Sequence, residues 1–219
     1  MVTRRSLLGA ASAGVGVLAL TPGTGAHAAV TGEWTRGVSA NGWPIDPKAI
    51  TDHRVEGSST SVALRAGPAA VVLLHVARRW HYEIAPLDTG EGGGITGHVT
   101  SRVVGADFES NHLSGTAVAL HPTAYPLGGS EGLWPHHEVI VRDILLDCDG
   151  TVVWGGDLRP SKFSHFHLVA RPDDRALSRV AAALDTGVRV GSRSQSAGTV
   201  ADPATPDRRE RARRLPRPR

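Results

Sequence analysis

Cys148 is the only cysteine in this chain of 219 residues, so no internal disulfide can form and the fold must be held by packing alone. The first 28 residues are not available for that packing. Arg4 and Arg5 precede a weakly apolar stretch rich in Ala, Gly and Val, and Ala26-His27-Ala28 follows as a small-residue cleavage pattern; together these have the form of a twin-arginine export signal. The apolar part, residues 7–20, is shorter than the ~20 residues a spanning helix requires. Setting residues 1–28 aside leaves 219 − 28 = 191, enough for one domain with a substantial core. Export implies an extracellular or wall-associated protein that does not span the membrane after cleavage. Cys148 is then expected to behave as a small buried hydrophobe.

The formal charge of +3 is unevenly spread. Arg4 and Arg5 contribute +2, and the tail from residue 201 carries seven Arg against Asp202, Asp207 and Glu210, or +4, so the body between them is 3 − 2 − 4 = −3. A mildly acidic body argues against nucleic acid as a partner. The tail has no periodic apolar face, and residues 187–219 are expected to be a disordered basic segment, solvated or held to anionic wall polymers.

Within the body, residues 29–66 read as a turn-rich lead-in, with a short strand at 61–65, and residues 67–186 as the folded domain. Val72, Leu73, Val76 and Trp80 form a helical stripe over 69–81, with Pro68 in its first turn. Residues 82–85 then read as a strand and 90–94 as a glycine loop. A second helix is predicted over 135–146 with Ile140, Ile144 and Leu145 inward, a turn at 147–150, strands at 151–154 and 165–169, and a last helix over 173–185. This succession predicts an α+β fold: a small, mainly antiparallel sheet flanked by helices.

Two stretches carry chemistry. Residues 110–120 read SNHLSGTAVAL, and residues 153–167 read VWGGDLRPSKFSHFH. In the second, strand spacing puts His165 and His167 on one face. The pair of stretches resembles the zinc D-alanyl-D-alanine carboxypeptidases and L-alanyl-D-glutamate endolysin peptidases, whose first motif is S-x-H-x-x-G-x-A-x-D. Ser110, His112, Gly115 and Ala117 match it, and Ala119 stands where the final Asp belongs. The likeness spans roughly residues 69–169 and implies a hedgehog/DD-peptidase-like fold.

The resemblance implies zinc as cofactor, with His112 and His165 as ligands, Arg102 holding the terminal carboxylate of a peptidoglycan stem peptide, and Ser110 lining the site. It also implies an acidic general base at the position of Lys162. A catalytic zinc takes three protein donors and a water, so Ala119 removes a ligand, and an ammonium at Lys162 cannot act as a carboxylate base. The replacements within sequence reach are His121 or His167 for the ligand, and Asp157, Glu131, His136, His137 or Glu138 for the base. The expected function is therefore an exported protein that binds stem peptides with weak or lost peptidase activity. The alternative is an active zinc carboxypeptidase with a substituted ligand and base. Gly115 and Ala117 read as structural, as do Trp154, Gly155 and Gly156.

Overall fold

In a computed structural model, residues 32–193, 203 and 205–217 are described. The export signal expected over residues 1–28 lies outside them. The element order is β1 (Gly32–Glu33), β2 (Ile50–Arg54), β3 (Ser61–Arg65), α1 (Pro68–Glu83), β4 (Ile95–Thr96), β5 (Val103–Val104), β6 (Ala117–Leu120), α2 (Pro135–Asp147), β7 (Val152–Trp154), β8 (His165–Leu168), α3 (Arg175–Arg193) and α4 (Pro206–Arg213). All strand pairs are antiparallel: β1 with β5, β2 with β3, and a four-stranded sheet in the order β4-β6-β8-β7. The α+β class with small antiparallel sheets follows.

α1 starts where Pro68, lacking an N–H, costs the first turn nothing. Its stripe of Val72, Leu73, Val76 and Trp80 is fully buried. Trp80 meets Phe166 of β8 edge to face at 5.9 Å and Tyr125 at 6.4 Å, which fastens the helix to one side of the sheet. On that side β6 contributes Val118 and Leu120, and β8 contributes Phe166 and Leu168, all with no exposure. Strand alternation then sends Ala117, Ala119, His165 and His167 to the opposite face.

Residues 82–85 are not a strand. α1 runs on to Glu83, because Arg79 grips Glu83 one turn later through Nε and Nη2 at 2.5 and 2.6 Å. α3 likewise passes the expected stop at 185 and continues to Arg193.

The lead-in belongs to the domain rather than preceding it. Trp43 donates Nε1–H to the Ala170 carbonyl at 2.7 Å, and Asn41 Nδ2 donates to the Leu168 carbonyl at 2.8 Å and to Thr116 Oγ1 at 2.9 Å. Ser39 Oγ lies 2.8 Å from Ser114 Oγ. Gly115 sits where β3 crosses: its carbonyl accepts Arg65 N–H at 2.9 Å, its φ is +68°, and a Cβ there would lie 2.7 Å from the Arg65 nitrogen. Glycine is the residue that tolerates both conditions.

The expectation of a disordered tail fails over 206–213. α4 packs on α2, burying Ala212, and Leu215 reaches the core. Arg208 bonds Asp143 through Nε and Asp147 through Nη2. From the other side Arg79 Nη1 donates to the same two carboxylates, both at 2.8 Å. Asp143 and Asp147, one helical turn apart, thus join three helices.

Candidate functional site

β6 and β8 pair so that Ala117 faces His167 and Ala119 faces His165. β4 adds Thr96 on the far side of Ala119. His112 comes from the last turn of a short 3-10 helix, Asp107–His112, that lies against this face. His112 Nε2 is 3.2 Å from His165 Nδ1, and His165 Nε2 is 3.1 Å from His167 Nδ1. The two motifs therefore converge, and the three imidazoles form one chain.

Burial keeps these rings neutral. His112 is pushed down to about 4 by burial and then by the Lys162 charge, with the Gly97 carbonyl opposing. His167 is lowered to about 4 by burial and by His112, and His165 is held well below its ordinary value, again first by burial. The tautomers follow from one backbone group. Gly97 O can only accept, so His112 donates Nδ1–H to it at 2.7 Å and presents a lone pair at Nε2. His165 must then donate from Nδ1 and accept at Nε2 from His167 Nδ1–H. The one imidazole lone pair left outside the chain is at His167 Nε2.

Phe108 packs its ring 4.9 Å from His165 and lies near parallel to His167. His165 is fully buried and His112 is 5 % exposed. Gly155 is the close approach that lets the Trp-Gly-Gly turn lie on this site: a Cβ there would sit 2.2 Å from the Lys162 carbonyl and 3.0 Å from His165 Cβ.

Lys162 points to a partner that motif reading missed. Its Nζ donates to Glu109 Oε1 at 2.5 Å, while Glu109 Oε2 accepts Gly105 N–H at 2.7 Å. Burial works against the Glu109 carboxylate, but the Lys162 ammonium holds it below its ordinary value. Glu109 precedes His112 by three residues, and in a 3-10 helix residues i and i+3 stack on one side. That spacing was the available signal.

The other expected residues go elsewhere. His121, named as a replacement ligand, would share the face of Ala119 only if the strand ran on to it, but β6 ends at Leu120 and His121 turns into the left-handed region at φ +54°. Its ring stacks on Trp80, accepts Trp80 Nε1–H at Nδ1 and donates Nε2–H to the Pro86 carbonyl, so it is no ligand. His167 does share the face, but it meets His165 at the nitrogen opposite the one that faces His112. One imidazole cannot offer both nitrogens to one ion, so the three rings have no common point.

Asp157 is clamped by both Nη groups of Arg142, which removes it as a base. His136 and Glu131 are exposed, and the His136 ring lies tilted 4.1 Å from that of His137 at the start of α2, where Glu138 also lies. None of the four forms a hydrogen bond to the histidine chain among the described residues. Ser110 is fully buried, donates to the Asp107 carbonyl and accepts Ala40 N–H, tying the lead-in to the motif. Arg102 Nη1 donates to the Trp34 and Arg36 carbonyls at 2.9 and 3.1 Å.

These residues do not complete a catalytic zinc site. His112 Nε2 and His165 Nδ1 have the separation of two corners of a zinc tetrahedron, about 3.3 Å for Zn–N bonds of about 2.05 Å. The neighbouring position opposite His165 carries only the Ala119 methyl. Among the described residues no group of three or more His, Cys, Asp or Glu is placed to hold a metal.

No family model, no curated protein and no solved structure matches this chain.

Proposed function

We propose that this chain is an exported, wall-associated relative of the zinc D,D-carboxypeptidases and L-alanyl-D-glutamate peptidases, with the hedgehog/DD-peptidase type of fold, that binds peptidoglycan stem peptides and has lost hydrolysis. The observation that carries this reading is the register Ala119 to His165: a methyl group faces the ligand histidine where the resemblance calls for a carboxylate. Lys162 adds a second loss, since its ammonium is bound to Glu109 and cannot take a proton from water. A residual role in binding rests on Arg102, whose Nη1 is held by backbone carbonyls while Nη2 and Nε, which have no hydrogen bond among the described residues, would meet a terminal carboxylate.

Titration of the protein with a stem pentapeptide ending in D-Ala-D-Ala, in a calorimeter and with D-alanine release followed in parallel, separates the alternatives. Binding without release, lost in Arg102→Ala, is the expected outcome. Absence of binding would refute the reading. Release of D-alanine with stoichiometric zinc, abolished in His112→Ala, would establish an active carboxypeptidase instead.

A further inference from the structure

We propose that the cleft between α2 and α4 is an anion site that takes a phosphate group. It is distant in chemistry from the histidine site and stands whether or not the peptidase reading does. The cleft is a cavity of about 270 Å³ with an apolar floor that includes Pro135, Val139 and Ala212. Arg209 and Arg213, one turn apart on α4, line it together with Arg217 from the segment that follows the helix.

None of these three arginines forms an ion pair among the described residues. The two other arginines on the cleft are already committed, Arg208 to Asp143 and Asp147, and Arg142 to Asp157. Asp143 is neutralised within the same network, so the opposing charge is Glu138 alone: three cations against one carboxylate leave +2.

Two features make this a built site rather than a loose basic tail. Arg208 anchors α4 through carboxylates that are themselves mostly buried, 2 % exposed at the Asp143 side chain and 25 % at Asp147. The backbone that carries Arg209 and Arg213 is therefore held by a docked element before any anion arrives. The excess charge also sits on a body that is otherwise −3, so it is local and not a property of the whole surface. A planar guanidinium offers paired N–H donors that match phosphate oxygens, and three around one cavity suit a tetrahedral anion with several acceptor oxygens better than a single carboxylate. Phosphate arrives either free or within a phosphodiester polymer.

The full chain is titrated with inorganic phosphate and with poly(glycerol phosphate), alongside Arg209→Gln/Arg213→Gln/Arg217→Gln and the control Arg211→Gln/Arg214→Gln. The control removes two arginines outside the cleft, one of them paired with Glu210. The cleft variant is expected to weaken binding by on the order of 10-fold or more, and the control by less than about 3-fold. Polymer binding much tighter than inorganic phosphate assigns the site to a phosphodiester chain, and comparable binding per phosphate assigns it to the free ion. Equal losses in the two variants, or no binding of either probe to the unaltered chain, would overturn the proposal. The cleft variant retains Arg208 and its carboxylates, so an unchanged thermal midpoint separates loss of the site from loss of the fold.

Discussion

At the scale of the residue, His112 shows how one backbone carbonyl decides the chemistry of several side chains. Gly97 O sets its tautomer, and the next two imidazoles follow in turn. Because the folded ring titrates at about 4 against 6.5 in the unfolded chain, the folded state disfavours the charged form. The corresponding stability is complete above pH 6.5, declines as the pH falls below it, and is gone below about 4. A shift of that size corresponds to on the order of 3 kcal/mol. Urea unfolding at pH 7.5 and pH 4 should show this loss, and His112→Asn, which keeps an N–H donor and does not titrate, should make it smaller while leaving the share of His165 and His167. The resemblance of the two motifs to the zinc peptidases implied that His112 and His165 meet, and they do. The spacing of Glu109 from His112 was visible, but its partner was not, because that depends on which side of a 3-10 turn meets Lys162.

At the scale of the element, the docked α4 is the largest departure from expectation. Its sequence is nearly all charge, which reads as a solvated segment, but Arg208 finds two carboxylates on α2 and Ala212 finds an apolar seat. Replacing Arg208 by Met leaves Asp143 with Arg79 as its remaining cation and removes the fastening of α4 to α2. The cost is expected to be about 3 kcal/mol, visible as a lower thermal midpoint, with faster tryptic cleavage at the arginines of α4. Unchanged midpoint and cleavage would show that Arg208 does not hold the helix. α1, α2, β3 and β7 were legible because their apolar periods are strong. The run-on of α1 past residue 81 was not, since it rests on a side-chain clamp from Arg79 to Glu83.

At the scale of the whole molecule, the lead-in and the motif segment are one structural unit. Trp43 is 6 % exposed, and its neighbours Ser39 and Asn41 supply polar partners to Ser114, Thr116 and the end of β8. A chain beginning at Gly67 would lose β2, the partner of β3, β3 itself, and this buried indole, whose removal alone is worth about 3–5 kcal/mol. It is expected to show no cooperative unfolding transition by circular dichroism, whereas a sharp transition would restore the separate-domain view. The sequence by itself determined the α+β class, the main helices and two strands of the central sheet, β7 and β8, because those depend on apolar period, and the family resemblance of its two motifs anticipated the meeting of His112 with His165. Tertiary structure alone decided that His121 leaves the site, that His167 approaches from the wrong side, that Arg102 and Ser110 hold the lead-in, and that the basic tail docks. Each of these depends on where a strand stops or which distant group lies within hydrogen-bond reach, and neither is written in the local order of residues.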